Sequence, residues 1–499
     1  MSGRRFLAFL IALACCAGCK RAAVAPARTV LNVATRADVT GIFPNPPYQA
    51  EVYSIDVNAN VFDSLVRFDQ GLRVLPALAE TWENPDDATW IFQLRSGVRF
   101  SNGAPVRASD VVASLRTSKL RNTSLLPGDT VEVDGPNRIA IRTSRRSPHL
   151  LASLQSSFIL PEEALAHEPV PAIGSGPYGL TRWTPGRELV LHRNPFFYGP
   201  APKFEEVNLR VTPSASERIA ALLSGRAQIA DAIPPEEVAR LTREPRVRVV
   251  SEPGLRVLFL AFRVDRPPFS DLRVRRAFRL AIDQKELIRR ALSGQALPAT
   301  QLVPPQVFGY DAEIPETRAD VAAARRLLAE AGYPKGLSVR LDGPSDRYVN
   351  DVQILHEVKR QLAAAGITVT VDAMPKSRYF PHLKTEAPSF YLLGWVCNTL
   401  FGGDALEVLV RTRGPGGQGD FNYQGISEPE LDRLTEEGFQ GADSEARLAA
   451  VQKAMAFVSE KELVVPLVIP REAIAISREV EWQPETGLAL RFAQMRPAQ

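Results

Sequence analysis

Segments with the periodicity of strands alternate with helix-like segments along nearly the whole chain. The apolar run 256–263 is typical of a buried strand, and Asp320 precedes a helical pattern that stops at Gly332. Further strands are predicted over 29–35, 205–211, 337–341, 367–373, 390–395 and 464–469. Further helices are predicted over 272–292, 349–365, 429–438 and 443–460. This alternation predicts an α/β fold built in layers.

The composition excludes several other classes of protein. Of the 499 residues, 45% are apolar and 23% are charged, which are ordinary values for a globular protein. A disordered chain, a collagen-like repeat and a polytopic membrane protein are therefore excluded. The 60 basic residues are nearly matched by 56 acidic ones, and a net charge of +4 is a thin excess for nucleic-acid binding. We therefore expect no nucleic-acid partner.

The first residues have the pattern of an export signal. Arg4 and Arg5 form a positive segment, and the apolar run from Phe6 to Ala14 is too short to span a bilayer. Small residues then precede Cys19, so residues 1–19 resemble a bacterial lipoprotein signal peptide that ends at a lipidated cysteine.

Two features leave alternatives open. Cys16 stands where such signals usually have leucine, and Cys15 ends a second candidate box. A plain secretory signal with incidental cysteines is the other alternative. If Cys19 is lipidated, Cys397 is the only other cysteine left and no disulfide forms. Residues 20–28 are predicted to be a tether, and the protein is predicted to be extracytoplasmic or periplasmic, held to the membrane by this lipid.

No motif recommends catalysis or cofactor binding. His356 and Glu357 begin a zinc-type HExxH motif, but Arg360 replaces its second histidine. Gly174-Ser175-Gly176 lacks the spacing of a nucleophile elbow, and the glycine-rich segment 414–419 lacks the lysine of a phosphate loop. We therefore predict no enzyme activity, no catalytic residues, no metal and no cofactor.

Several short blocks, in order along the chain, carry a family resemblance. They are Asn60–Asp69, Leu75–Trp82, Thr89–Pro105, Gly174–Tyr178, Arg218–Gly225, Asp271–Phe278, Leu328–Pro334, Gly394-Trp395 and Val465–Leu467. Together they resemble the extracytoplasmic solute-binding proteins of peptide-type ABC importers, the oligopeptide, dipeptide and nickel-binding family. No single block is decisive, but their order and spacing are specific.

The resemblance implies a two-lobed fold like the type II periplasmic binding proteins, with an extra inserted subdomain. Domain I, in the first lobe, would comprise 29–60, 175–260 and 470–499. The inserted domain II would cover 61–174, and domain III, the second lobe, would cover 261–469. The two crossings near 260 and 470 would form a hinge that bends as the lobes close.

The implied function is capture of a peptide-like or other polar small solute between the lobes, and its delivery to the permease subunits of an ABC importer. The protein would act as a monomer. One alternative is a receptor that senses its ligand without transport. A less favoured one is an exported hydrolase or chaperone.

The resemblance also implies where the ligand binds. Peptide-binding relatives use a Gly-Trp-x-x-Asp segment, whose aspartate anchors the ligand's α-amino group. The matching segment begins Gly394, Trp395, Val396 and has Asn398 in place of that aspartate. An amide both donates and accepts, so Asn398 suits a neutral polar ligand, and Asp404 is a candidate substitute anchor.

Four further contacts are predicted more weakly. Tyr178 and the aromatic face of Trp395 are candidates for the cleft wall, with core packing as the alternative. Arg378 and Tyr379 precede the Gly-Trp strand, where relatives place polar cleft residues. Arg378 could hold a ligand carboxylate with two hydrogen bonds, or it could simply lie on the surface.

Overall fold

The computed structural model describes most of the chain downstream of the predicted tether. It covers residues 29–39, 41–42, 52–69, 72–86, 88–117, 128–144, 146–147, 150–167, 169–386, 388–415, 417–441, 443–483 and 489–498. The predicted signal peptide, the tether and Cys19 lie outside the described residues. Within the described part, no helix is both long enough and apolar enough to cross a membrane.

Thirteen α-helices occur in the described residues. They are α1 (Val52–Val61), α2 (Ala108–Arg116), α3 (Leu150–Leu154), α4 (Ala215–Leu223), α5 (Pro235–Thr242), α6 (Leu272–Leu280), α7 (Gln284–Leu292), α8 (Val321–Glu330), α9 (Asp351–Ala364), α10 (Lys376–Thr385), α11 (Gly402–Leu409), α12 (Pro429–Gln440) and α13 (Ser444–Glu460).

Twenty-two β-strands occur in the same residues. They are β1 (Val30–Thr35), β2 (Asp63–Ser64), β3 (Val66–Phe68), β4 (Val74–Pro76), β5 (Ala79–Asp86), β6 (Thr89–Leu94), β7 (Thr130–Val133), β8 (Arg138–Arg142), β9 (Phe158–Ile159), β10 (Tyr178–Thr184), β11 (Glu188–Arg193), β12 (Glu206–Val211), β13 (Ile229–Ala230), β14 (Val247–Pro253), β15 (Arg256–Phe262), β16 (Ala296–Pro298), β17 (Leu337–Pro344), β18 (Ile367–Met374), β19 (Phe390–Val396), β20 (Val464–Ser477), β21 (Val480–Glu481) and β22 (Arg496–Pro497). Strands and helices alternate as the sequence predicts, and the α/β class is confirmed.

Aspartates fix the start of several helices. The side chain of Asp271 accepts a hydrogen bond from the backbone N–H of Arg273 at 2.8 Å, and Asp320 caps α8 in the same way. A carboxylate at this position satisfies an N–H group that has no partner inside the helix. Both aspartates stand directly before segments that the sequence predicts to be helical.

The single helix predicted over 272–292 is wrong. Helix α6 ends at Leu280 and α7 begins at Gln284. The break lies at Asp283, whose side chain accepts from Glu286 N at 3.0 Å and so caps a new helix. The Asp283 N–H donates to the Gln361 side chain at 2.6 Å instead of to the preceding turn. Tertiary contact and capping therefore divide one amphipathic pattern into two helices.

One sheet runs through both lobes. Its order is β10-β11-β12-β1-β13-β20-β15-β19-β17-β18, while β14 and β16 also pair with β20. We define lobe 1 as β1, β10–β14 and residues 470–477 of β20, with the helices packed on them. We define lobe 2 as β15–β19 and residues 464–469, with their helices. Each lobe has its own apolar core.

The chain passes between the lobes twice, along neighbouring paths. Strand β20 pairs with β15 at Val464–Val468 and with β14 at Arg471–Ser477. Strands β14 and β15 are separated only by Gly254 and Leu255, and the Gly254 N–H donates to the Pro470 carbonyl at 3.2 Å. The lobes are therefore joined by two hydrogen-bonded segments, close to the crossings predicted near 260 and 470.

A smaller sheet lies within the range predicted for the inserted subdomain. Its strands are ordered β5-β6-β8-β7, and α2 and α3 contribute to the same separate apolar core. Gly174 and Gly176 lie against the backbone of Val61, where a Cβ atom would come within 2.1 and 2.8 Å of its carbonyl oxygen. Only glycine fits at this junction, which explains the Gly-Ser-Gly pattern without any catalytic role.

Candidate functional site

A cavity of about 520 Å³ lies between the two lobes. We call it the interlobe cavity. Its volume is typical of sites that enclose a small molecule. Lobe 1 contributes the charged residues Arg36, Asp38, Asp56, Asp231 and Glu472. Lobe 2 contributes Arg256, Asp346, Arg347 and Lys376, together with Tyr348.

Three acids of lobe 1 reach the cavity from three separate elements. Asp56 lies on α1, Asp231 follows the short strand β13, and Glu472 lies on β20. Asp56 is 9% exposed and Asp231 is 4% exposed. We call these three residues the acidic wall.

Asp231 is held by groups of its own lobe. Its Oδ1 accepts from the Arg36 backbone N–H at 2.8 Å and lies 3.6 Å from Arg218 Nε. The Arg218 side chain, 2% exposed, also donates to the backbone carbonyls of Thr212 and Ala232. This network fixes the loop after β13 and points it towards the cavity.

The other two acids are costly to ionise where they stand. Burial raises the pKa of Asp56 from 3.8 to about 7, although the nearby Arg491 guanidinium acts in the opposite direction. The carboxylates of Glu472 and Asp231 raise it further. Burial likewise raises the pKa of Glu472, and Arg256 lowers it only in part. Burial and mutual repulsion therefore favour the protonated, neutral form of Asp56 and Glu472 in the empty protein.

The facing wall in lobe 2 is built around Tyr348. The guanidinium carbons of Arg256 and Arg347 lie 5.5 and 5.9 Å from the centre of its ring. Asp351 Oδ2 accepts from the backbone N–H groups of Arg347 and Tyr348 at 2.9 and 3.1 Å. These bonds fix the turn before α9, which presents Arg347 and Tyr348 to the cavity, while Arg256 comes from the start of β15. We call Arg256, Arg347 and Lys376 the cationic wall.

Direct contacts join the lobes beside the cavity. Arg36 Nη2 donates to the Asp346 carbonyl at 2.9 Å, and Asn350 Nδ2 donates to Glu236 Oε2 at 3.4 Å. The two lobes are therefore in direct contact through these two hydrogen bonds.

The predicted Gly-Trp segment lies on β19, behind this wall. The Gly394 N–H donates to the Tyr348 hydroxyl oxygen at 2.9 Å, and Val396 pairs with Arg256 in the sheet. The Trp395 ring packs 5.6 Å from the ring of Phe421. The segment therefore supports residues that line the cavity, and none of its three members is among the described residues that form the lining.

The predicted anchors lie farther along the chain. Asn398 is exposed in the turn that follows β19, and Asp404 is partly buried in the first turn of α11. Neither is among the described lining residues. Cys397, between the strand and this turn, is buried, and its thiol lies 3.2 Å from the Phe401 carbonyl.

The two predicted tyrosines are fully buried in the cores. The Tyr178 hydroxyl donates to the Phe204 carbonyl at 3.1 Å, and the Tyr379 hydroxyl donates to the Leu392 carbonyl at 2.5 Å. Burial raises the pKa of both groups. Arg378 is exposed on α10, two residues after Lys376, which does line the cavity. The structure thus separates these three side chains from the interlobe cavity.

Sequence reasoning missed the acidic wall and the cationic wall. The acids of the first stand at positions 56, 231 and 472, and no local pattern connects residues so far apart. Arg256 is the first residue of a strand whose other residues are apolar, and Arg347 lies in the loop between β17 and α9. Neither position belongs to a recognisable binding motif. Only the pairing of β20 with strands of both lobes brings these positions together.

A buried histidine in lobe 2, His382, lies between two carboxylates. His382 Nε2 lies 2.9 Å from Asp342 Oδ2, and its Nδ1 lies 3.1 Å from Glu386 Oε2. Both ring nitrogens are therefore engaged by carboxylates. Among the described residues, no group of three or more His, Cys, Asp and Glu side chains could hold a metal ion.

Comparison with known proteins agrees with this geometry. The family "Bacterial extracellular solute-binding proteins, family 5 Middle" matches residues 73–416. The glutathione-binding protein GsiB of Salmonella typhimurium is 26% identical over 477 residues, which cover 90% of this chain and 92% of that protein.

Solved structures show the same fold. NikA from Brucella suis, in complex with Fe(III)-EDTA, has a TM-score of 0.84 at 22% identity, covering 94% of this chain and 100% of its own. DppA from Helicobacter pylori, in complex with the peptide STSA, has a TM-score of 0.81 at 22% identity, covering 95% and 99%. The two-lobed type II binding-protein fold is thereby confirmed. The chain belongs to the family 5 bacterial extracellular solute-binding proteins, the extracytoplasmic solute receptors of peptide- and nickel-type ABC importers.

Proposed function

We propose that this protein captures a peptide-like or other polar small solute in the interlobe cavity and presents it to the permease subunits of an ABC importer. The observation that carries the proposal is the cavity itself, which is enclosed by both lobes and lined by charged groups. When a ligand binds between two lobes, it can shift them towards a closed arrangement. A permease can then distinguish the ligand-bound protein from the empty one by that arrangement.

The relatives support a polar ligand without defining it. Their names and bound molecules include glutathione, the peptide STSA and the dipeptide Met-Leu. Others hold agropinic acid or Fe(III)-EDTA. All of these carry several charged or hydrogen-bonding groups, as the walls of this cavity require.

Ligand retention tests the proposal directly. The mature protein, purified gently from its native host, should release a polar small solute when it is denatured, and mass spectrometry should detect that solute at near-stoichiometric amounts. Returning the solute to the emptied protein should raise the unfolding temperature. A protein that retains nothing and responds to no member of a broad panel of peptides, opines and metal chelates would contradict the proposal.

We also propose that the mature protein is a monomer held to the membrane by lipid on Cys19. Cys19→Ser should release the protein from the membrane fraction or block its processing, because the acylated side chain is lost. Cys15→Ser, the matched control, should leave anchoring intact. If the Cys19 variant still partitions into membranes with its mature N-terminus at another residue, the anchor has been assigned wrongly.

We propose that the protein is a receptor and has no catalytic activity. His382 is consistent with this view, because both of its ring nitrogens are engaged by carboxylates of its own lobe. Intact recovery of the retained solute after prolonged incubation is expected. Its conversion to a product would contradict this part of the proposal.

A further inference from the structure

A second cavity, of about 380 Å³, lies within lobe 2. We call it the distal cavity. Its volume is in the range of sites that hold a small molecule. Three parts of the lobe meet there: the end of β15, the last turn of α10 and the segment between α11 and α12. The described lining residues are Arg263, Leu383, Lys384, Thr412, Arg413, Asn422, Tyr423, Gly425 and Ile426.

The distal cavity is separate from the interlobe cavity. Strand β15 begins at Arg256, which lines the interlobe cavity, and Arg263 follows the end of the same strand. At about 3.3 Å per residue, these two positions are roughly 20 Å apart. Helix α10 likewise has Lys376 at the interlobe cavity and Lys384, two turns later, at the distal one. No described residue lines both cavities.

The lining of the distal cavity is cationic. Three of its nine described residues are basic and none is an acid. Arg263 is neutralised by Asp265, whose carboxylate accepts from Arg263 Nε at 2.9 Å and from Nη2 at 2.5 Å. Lys384 is exposed and forms no ion pair with any described residue. Its charge is therefore available to a ligand.

Arg413 is held in place without a carboxylate. Its Nε donates to the Asn422 carbonyl at 3.1 Å, and its guanidinium carbon lies 5.6 Å from the centre of the Tyr423 ring. Burial raises the pKa of Tyr423, Arg413 lowers it, and Asp420 raises it further. Asp420 is nevertheless exposed and is not among the described lining residues. The terminal nitrogens of a fixed guanidinium thus face the cavity with their charge unneutralised.

A buried hydroxyl group lies behind this lining. Tyr391, on β19, is fully buried, and its hydroxyl has no hydrogen-bond partner among the described residues. Burial raises its pKa, and its strongest electrostatic neighbours are Tyr423, Arg263 and Arg413, all of which line the distal cavity. Tyr379, equally buried in the same core, instead donates to a backbone carbonyl at 2.5 Å. The Tyr391 hydroxyl is therefore an unused donor directed at the cavity.

Two further polar side chains around the cavity lack partners. Thr412 lines it, and the buried hydroxyl oxygen of Thr412 has no hydrogen bond within the described part of the chain. Gln424 is fully buried between two lining residues, and both polar atoms of its amide are likewise unpartnered. Buried polar groups are normally satisfied, because an unpaired one is costly. A ligand rich in acceptor oxygens would satisfy the hydroxyls of Tyr391 and Thr412.

We propose that the distal cavity is a second binding site, and that it takes a small organic phosphate monoester. A phosphate group carries up to two negative charges and three terminal oxygens, which suit an ammonium, a guanidinium and hydroxyl donors. Leu383, Ile426 and the Tyr423 ring offer an apolar surface to the carbon skeleton. The inference goes beyond the proposed function and stands apart from it, because the transported solute is expected in the interlobe cavity.

The test measures binding to the emptied mature protein in a phosphate-free buffer of low ionic strength. The probes are glycerol 3-phosphate, glucose 6-phosphate and adenosine monophosphate, each paired with its unphosphorylated parent. Calorimetry should show at least one ester binding at least about tenfold more tightly than its parent, which one charge-assisted bond can supply. Inorganic phosphate and citrate should both bind more weakly than that ester. The phosphorus NMR signal of the ester should broaden or shift on binding.

Variants locate the site. Lys384→Gln and Arg413→Gln should each weaken binding of the ester about tenfold. The matched control is Lys359→Gln, which removes the same charge from an exposed position on α9 that lines neither cavity.

Tyr391→Phe separates a binding role from a structural one. It removes a hydroxyl that has no partner, so the empty protein should be as stable as the wild type or more stable. The same substitution should still weaken binding of the ester. A destabilised variant with unchanged ester affinity would overturn the role given to this hydroxyl.

The remaining outcomes decide the inference. It is overturned if no ester binds more tightly than its parent, or if inorganic phosphate or citrate binds as tightly as the best ester. Weaker ester binding in Arg347→Gln, with none in Lys384→Gln, would place the ester in the interlobe cavity and overturn the second site. None of these results bears on whether the interlobe cavity holds the transported solute. The comparison of esters with their parents uses wild-type protein, so a variant that fails to fold does not block the test.

Discussion

Single carboxyl groups determine the electrostatics of the cleft. Burial raises the pKa of Asp56 to about 7, with smaller contributions from Glu472 and Asp231, and the group stays largely protonated until neutral pH in the empty protein. An unfolded chain ionises the same group near its ordinary value of 3.8. This difference links the stability of the empty protein to pH.

The link has a definite sign. Between about pH 4 and 7 the folded protein keeps a proton on Asp56 that the unfolded chain has lost, so the free energy of unfolding falls as pH rises through this range. The full effect of this one group is up to about 4 kcal/mol. In Asp56→Asn, the free energy of unfolding measured by urea denaturation should depend less on pH between about pH 4 and 7. In Asp63→Asn the dependence should be reduced only up to about pH 6, the raised pKa of Asp63. Identical profiles for wild type and Asp56→Asn would contradict the assignment.

Two tyrosines allow a matched comparison between core and cleft. Tyr178→Phe removes a hydroxyl that donates to the Phe204 carbonyl, which should cost about 1 kcal/mol of unfolding free energy and leave ligand affinity unchanged. Tyr348→Phe should lower affinity, because the Tyr348 ring lines the cavity and its hydroxyl holds Gly394 N. Denaturation and calorimetry on both variants check this. A Tyr178 variant with weakened binding would restore the role that its sequence motif suggested.

At the scale of secondary-structure elements, strand β19 supports the cavity wall. A Cβ atom on Gly394 would lie 2.6 Å from Leu258 Cδ2 and 3.0 Å from Tyr348 Cε1. Gly394→Ala should therefore cost about 1–3 kcal/mol, and it should weaken ligand binding by displacing Tyr348. The control is Gly179→Ala on β10, where the nearest atom is 3.7 Å away and ordinary contact results. If both variants lose the same stability and keep the same ligand affinity, the side chains around Gly394 can repack to accept the extra methyl group.

The elements were predictable where local pattern decides them. Strand β15 was expected over 256–263 and occupies Arg256–Phe262, and α9 was expected over 349–365 and occupies Asp351–Ala364. Long-range pairing was not predictable. The last strand was expected over 464–469, whereas β20 continues to Ser477 because β14 and β13 of lobe 1 extend its ladder.

In the candidate site, too, residues in a contiguous motif could be predicted and residues brought together by long-range pairing could not. Gly394 and Trp395 could be found by family resemblance because their motif is contiguous. Glu472 could not be identified, since an acid in a strand normally faces solvent and only the closure of two lobes encloses this one. The predicted domain bounds and ligand contacts remain predictions.

At the scale of the whole molecule, two adjacent crossings allow one lobe to rotate against the other. We expect the radius of gyration to decrease when a verified tight ligand binds, because hinge closure brings the lobes together. Small-angle scattering with and without ligand measures this. Arg36→Ala should reduce the change, since its side chain donates to the Asp346 carbonyl across the cleft. Superimposable curves for free and bound wild type would indicate a rigid scaffold.

Strand β20 also fixes the order in which the protein can be assembled. It is the last strand of the large sheet to be synthesised, yet it separates β13 from β15 in that sheet. Until residues 464–477 emerge, each half-sheet has an unpaired edge, and such edges associate readily with other chains. Neither lobe can therefore finish folding early during synthesis. For a chain that crosses a membrane before it folds, this late step keeps most of the polypeptide in a form that can still be translocated.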